Sequence, residues 1–388
     1  MIVFMRLLRA LTFMALAIII SGCQSPVSHI HGASDEEINA EIRLQKEMVF
    51  TKAAEEAEHV EIIMHNILLK NAELCTNKAR SVGFLVHNID DYRGENKEIA
   101  ESLYQLDHVQ QVEIVYPHTD AHKYGLKKGD KIIAVNGIDV SSDKDKANKI
   151  SDAFANNTQD INKVLILSGN REREIALKAQ EVCNYRMLYF PNSLEVNAMA
   201  DGKRVFFMRG MYRIAKDDNE LALIIGHEIA HNVMKHSKKK EWNSLWLRGL
   251  ANAYNIALIL RTPYVLNEDM VDYAINEVRD INSVDFEREA DYIGMYFAER
   301  AGYDTSNAIG LWRKMAVEFS GSSIERRNTH PATAERFVYL QKTHDEIKAK
   351  RQNNQPLIPK ITWRDDRVDI DLVNLSETEQ DSEHHPRP

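Results

Sequence analysis

Three cysteines in 388 residues are too few for a disulfide scaffold. A basic excess is also missing. The 49 Lys and Arg face 58 Asp and Glu, for a formal net charge of −9, which argues against a dedicated nucleic-acid binder. Mean hydropathy is −0.41, so a polytopic membrane protein is excluded. There is no internal repeat. What remains is an ordinary globular composition, 44% hydrophobic and 28% charged. At about 150 residues per domain, the length suggests two to three domains.

The start of the chain is set apart from the fold. Arg6 and Arg9 precede an uncharged, mostly apolar run of 11 residues, Ala10 to Ile20. A spanning helix needs about 20, so this run reads as a secretory signal. It ends in Ile20-Ser21-Gly22-Cys23, which resembles the bacterial lipobox. That likeness implies a signal peptide over residues 1–22, acylation of Cys23 and a polar tether over 23–35. Gln24 follows the Cys, where the residue resembling an inner-membrane retention signal would be Asp. The expected placement is the periplasmic side of the envelope, lipid-anchored, at the outer membrane.

From Glu36 to Leu74 there is no Pro or Gly, and Val60, Ile63, Ile67 and Leu68 recur at helical spacing. One or two helices are expected over 36–75. Strands are then expected at Val82–Val86, Val112–Val115, Val164–Leu167 and Glu174–Leu177, with a helix over Lys144–Phe154. Asn136-Gly137 after an apolar run is a strong tight-turn signal. Gly125-Leu126, Gly129-Asp130 and Val135-Asn136-Gly137, in that order, resemble a PDZ domain over 76–182. In that likeness Val82, Gly83 and Phe84 form the loop that captures a peptide C-terminus, and the strand edge accepts an added strand. The stretch from His87 to Gln111 is longer than the usual connection. An occluded groove in a purely structural module is the plainer alternative.

Residues 183–348 read as mainly helical, with strands at Leu188–Phe190 and Val205–Met208. After 348 the chain is a polar tail. Asp217 to Glu220 offers helix caps and negative charge before an apolar helix. Inside that helix stands His227-Glu228-Ile229-Ala230-His231. Four residues advance a helix by about 400°, so the two imidazoles share a face and can hold one zinc ion. Glu228 lies about 100° round, placed to take a proton from a water beside the metal. Burying these groups in an apolar helix without a partner would be costly.

Catalytic zinc usually has three protein ligands. The extended pattern with a third His fails, since position 237 is Ser and 234 is Met. Continued helix would put His236 about 180° round from His227, facing away. A Glu on a later helix is the other source. In Glu287-Arg288-Glu289-Ala290-Asp291, Glu287 and Asp291 share a face while Glu289 points elsewhere. Glu287 is expected as the third ligand, with Asp291 fixing the tautomer of a liganding imidazole.

Taken in order, several segments resemble peptidase family M48, the HtpX- and BepA-like zinc metallopeptidases. They are Asn197-Ala198, Glu220-Leu221, the His-Glu-x-x-His helix, Glu287 to Asp291 with Gly294, Gly302-Tyr303-Asp304, and Thr329-His330-Pro331 with Arg336. The resemblance implies an α+β gluzincin fold, mainly helical with a small β-sheet, and one Zn2+ held by His227, His231 and Glu287. Glu228 would be the general base. His330 would cap the metal or stabilise the oxyanion, and Arg336 would support the site. The strand Arg204–Met208 would be the edge that receives an extended substrate. Trp242 to Leu260 reads as a lid or a core hairpin.

Cys75 and Cys183 flank the PDZ-like block. Bridged in an oxidising compartment, they would close a 108-residue separation, worth up to about 4–5 kcal/mol on the chain-entropy model. Two unpaired buried thiols are the alternative. The placement suggests a peptidase domain interrupted by a PDZ-like insert. The M48 resemblance implies hydrolysis of peptide bonds in envelope proteins, in quality control, and the PDZ resemblance implies that the insert recruits C-terminal peptides. The rival is an assembly factor or chaperone whose zinc site His330 closes.

Overall fold

The computed structural model describes residues 32–141, 146–155, 157, 160–236, 284–318 and 334–361. Cys23 and the lipobox, the stretch Trp242 to Leu260, His330 and the tail from 362 lie outside the described residues.

Helix α1 (Asp35–Lys70) starts at a capping box. The Ser34 hydroxyl accepts from the Glu37 N–H at 3.2 Å, and Glu37 Oε2 accepts from the Ser34 N–H at 2.7 Å. Contacts divide the chain between Val49 and Phe50. In the first unit the helix exposes Ile38, Ile42 and Met48, with an Arg43–Glu47 ion pair at 3.0 Å.

After α1 come β1 (Lys78–Ser81), β2 (Phe84–His87), α2 (Glu95–Tyr104), β3 (Gln111–Val115) and α3 (Asp120–Lys123). Then follow β4 (Lys131–Val135), β5 (Ile138–Asp139), α4 (Lys146–Ala155), β6 (Ile161–Ser168), β7 (Arg171–Lys178) and β8 (Gln180–Cys183). The sheet order is β2-β3-β4-β6-β7, antiparallel throughout, with β5 a short hairpin on β4. The β4–β5 turn is Asn136-Gly137, with φ of +53° and +80°. Positive φ at both central residues is the turn that matches strand twist, which is why Asn-Gly suits it. The extra length between β2 and β3 is taken up by α2. A separate two-stranded ladder, β1 with β8, pairs Lys78 with Cys183, and a disulfide joins Cys75 to Cys183 beside it. The sheet has its own small core around Val112, Ile132, Val164 and Leu177.

The remaining elements are β9 (Arg186–Phe190), β10 (Ala198–Ala200), β11 (Arg204–Met208), α5 (Arg209–Ile214), α6 (Asp218–Val233), α7 (Val284–Arg300), α8 (Ala308–Glu318) and α9 (Ala334–Gln352). One large apolar core joins them to α1, through Val60, Ile67, Tyr189, Ile225, Tyr296 and Leu311. Asn71 Nδ2, just past α1, donates to the Phe297 carbonyl at 3.0 Å. The three strands run β10-β11-β9, with β11 antiparallel to β10 and parallel to β9. This corrects the expectation for Arg204–Met208. That strand is central, paired on both sides, and has no edge to offer a substrate. Among the described residues the outer strand packed on α6 is β10.

The six-stranded sheet meets α1 through polar groups. Lys128 Nζ donates to Glu58 at 2.6 Å and Tyr116 Oη to Glu61 at 2.7 Å, while His65 stacks on Tyr116 with centroids 3.6 Å apart. Glu113 is buried here. Burial pushes its carboxyl up to about 8, opposed by Lys128 and reinforced by Asp91, Glu58 and Glu61. The unfolded chain releases this proton near its ordinary value, so in between the folded chain holds one proton more. Stability therefore falls as pH rises through that window and levels off above about 8. His87, pushed down to about 3 by burial, is neutral in both states above pH ~6.5. Glu61, pushed up to about 7 by burial, contributes only at the lower end. From pH 6.5 to 8 the loss due to Glu113 is about 2 kcal/mol. Glu113→Gln is expected to flatten this decline, read as the urea midpoint against pH; a slope unchanged by the substitution would contradict it.

Candidate metal centre

Helix α6 begins where Asp217 accepts from the Asn219 and Glu220 N–H groups, both at 3.0 Å. Nearly all of it is buried. Helix α7 crosses it at two glycines. A Cβ on Gly226 would lie 2.6 Å from the Gly294 carbonyl oxygen, and one on Gly294 would lie 2.7 Å from the His227 Cα. Only glycine permits that approach, and the approach carries Glu287 to the two imidazoles.

His227, His231 and Glu287 offer ligand atoms that all lie within 4.8 Å of one another, every one buried. The two Nε2 atoms are 3.1 Å apart. Glu287 sets Oε2 3.4 Å from His227 Nε2 and Oε1 3.4 Å from His231 Nε2. Glu228 is 2% exposed on the same helix. Asp291, one turn after Glu287, lies 3.0 Å from His227 Nδ1. Arg336, from α9 and also buried, grips Asp291 with two bonds of 2.8 and 2.7 Å, and its Nη1 is 3.5 Å from Glu287. Its guanidinium covers the Trp312 ring at 4.7 Å, and Trp312 meets the His227 ring edge-on at 5.1 Å.

The charges explain what this set wants. Burial pushes the His227 imidazole down, but Asp291 and Glu287 outweigh it and bring it up to about 9. Burial also works against the Asp291 carboxylate, yet Arg336 and His227 hold it below its usual range. When both imidazoles are neutral, as ligation of a metal requires, Glu228, Glu287, Asp291 and Arg336 together leave a net two negative charges in a buried space. A divalent cation would offset them. Two imidazole nitrogens and a carboxylate are also the donor set of a catalytic zinc site. The residues present fit the ion.

The structure therefore brings together His227, Glu228, His231, Glu287, Asp291 and Arg336. Of the loop Val82-Gly83-Phe84, the Gly83 N–H is donated to Ser81 Oγ at 3.2 Å, and Phe84 is buried beside Phe154 with centroids 6.1 Å apart. Four site residues escaped sequence reasoning: Gly226, Trp312, Asn232 and His236. Asn232 Nδ2 donates to the Arg204 carbonyl at 3.0 Å and its Oδ1 accepts from the Gly202 N–H at 2.5 Å, tying α6 to the β10–β11 turn. A buried Asn in an apolar helix was a readable signal. His236 does not face away. The helix ends at Val233, and Lys235 takes φ +55°, which turns His236 back to within 2.8 Å of His231.

His-Glu-x-x-His on one helix with a Glu from a later helix is the arrangement by which zinc metallopeptidases hold their metal. Residues 170–344 match the model of Peptidase family M48. Mitochondrial metalloendopeptidase OMA1 of Schizosaccharomyces pombe is 27% identical over 39% of this chain and 44% of its own length. Its namesake from Saccharomyces cerevisiae is 27% identical over 36% and 41%, and that from Arabidopsis thaliana 29% over 36% and 27%. The chain spans less than half the length of these curated relatives. A PDZ domain protein from Parabacteroides distasonis aligns at 17% identity and TM-score 0.20 over 32% of this chain and 23% of its own, too low to carry an argument. These relatives overturn the expected placement on the periplasmic side of an outer membrane, because they are named as mitochondrial proteins. The expectation of envelope substrates, which the family resemblance alone suggested, gains nothing from them. No helix among the described residues is long and apolar enough to cross a membrane.

Proposed function

We propose that the chain is a zinc-dependent endopeptidase acting on protein substrates. The observation that carries this reading is the buried cluster of His227, His231 and Glu287 with Glu228 on the same helix. His227, His231 and Glu287 would hold the ion. Zinc, when bound, polarises a carbonyl and lowers the pKa of water to about 7. Glu228 takes the proton of the attacking water and delivers it to the leaving amine. Asp291, held by Arg336, keeps the His227 Nδ1–H directed away from the ion. An extended substrate would pair along β10, the outer strand beside α6. The six-stranded sheet would act as a PDZ-like insert, recruiting C-terminal peptides along the β2 edge near α4. The common core of α1 and the later helices, with the β1–β8 ladder and the disulfide below the sheet, supports an insert. The reading is tested by offering an unfolded polypeptide to zinc-loaded protein. Cleavage by wild type and none by Glu228→Gln is expected; an uncut substrate with zinc bound would contradict it.

A further inference from the structure

His236 and Glu289 have no part in the chemistry so far, yet they continue it. His236 is wholly buried at the end of α6. Its Nδ1 is 2.8 Å from His231 Nδ1, and its Nε2 is 2.6 Å from Glu289 Oε2. Its ring stacks on Phe286 with centroids 4.5 Å apart and stands nearly perpendicular to that of His231, at 79°. Phe286 and Glu289 both come from α7, the helix that supplies Glu287.

The chain of donors has one consistent direction. A carboxylate only accepts, so His236 Nε2 carries the proton that faces Glu289. In neutral His236 the Nδ1 is then a lone pair. It can only accept, so His231 Nδ1 carries the proton between the two rings. That leaves His231 Nε2 as a lone pair, aimed at His227 and Glu287, which is the form a metal ligand needs. His227 reaches the same tautomer through one step, its Nδ1 against Asp291.

We propose that Glu289 and His236 form a relay that fixes His231 in its Nδ1–H tautomer and locks its ring toward the ion. Both are positioning residues. The inference rests on reading His227, His231 and Glu287 as a metal centre, and the experiment separates the two.

Zinc dissociation constants are measured on the full chain by competition with a chromophoric chelator, alongside the visible spectrum of the cobalt-loaded protein and the melting of the metal-free protein. His236→Phe keeps the ring and its stacking on Phe286 but removes the acceptor. It is expected to weaken zinc binding about 10–100-fold and to change the cobalt spectrum. Glu289→Ala, at a part-exposed position that tolerates truncation, is expected to weaken it in the same range. Glu289→Gln still offers an acceptor to His236 and is expected to recover most of the affinity. Zinc affinity within about 3-fold of wild type in both His236→Phe and Glu289→Ala would overturn the relay, as would a lowered metal-free melting temperature with unchanged affinity. If His236→Phe does not fold, the contrast between Glu289→Ala and Glu289→Gln decides alone. Glu287→Ala is run beside them. Its failure to lose zinc would sink the metal-centre reading itself, whereas loss there with retention in the relay variants sinks only the relay.

Discussion

Glu228→Gln is expected to lose at least ~100-fold in kcat on a peptide substrate while binding zinc as wild type does. The amide matches the carboxylate in size, so the packing of a side chain only 2% exposed in α6 is kept. What it lacks is a basic oxygen to take the proton. Positioned general acid–base groups contribute roughly 10²–10⁴-fold, and here one group serves both directions of transfer. The ligands are untouched, so zinc content and metal-free melting should not change. Activity within about 10-fold of wild type would mean that another group moves the proton.

Arg336→Met is expected to destabilise the fold by about 3–5 kcal/mol. Arg336 is 2% exposed, the bulkiest of the fully buried side chains among the described residues, and makes both bonds to Asp291, itself buried. Removing the guanidinium leaves that carboxylate in a site it cannot leave, with His227 as its remaining charged partner among the described residues. The cost is that of an uncompensated buried charge rather than of the lost pair. The double variant Arg336→Met with Asp291→Asn removes the charge as well and should regain part of the loss. Urea unfolding of the three proteins gives the answer. A loss under about 1 kcal/mol in the single variant would show that Asp291 has another partner strong enough to hold it.

The centre of the site was legible because it depends on local periodicity. His227 and His231 are one helical turn apart, and their Nε2 atoms face each other at 3.1 Å. Glu287 and Asp291 share a helix face for the same reason, and one meets the imidazole Nε2 atoms while the other meets Nδ1. The Asn136-Gly137 turn was equally local. The order of strands was not, because pairing is set by contacts distant in sequence. An apolar stretch such as Val205–Met208 reads alike whether it is central or at an edge. His236 was misplaced for a different reason. Continuing the helix past Val233 is sound only if the helix continues, and no glycine marks its end. Instead Lys235 adopts the left-handed conformation, a choice its residue type does not announce. The glycine crossing of Gly226 with Gly294 was hidden likewise, since each glycine looks like a defect in its own helix until the other is placed against it.

The proposed chemistry depends on Glu287 as the third ligand to one zinc ion. Metal analysis of the purified chain, wild type against Glu287→Ala and Glu289→Ala after equal exposure to zinc and removal of the excess, tests this most directly. One zinc per wild-type chain is expected, with almost none in Glu287→Ala and a weakened but measurable content in Glu289→Ala. Full zinc in Glu287→Ala, or its loss in Glu289→Ala alone, would contradict it.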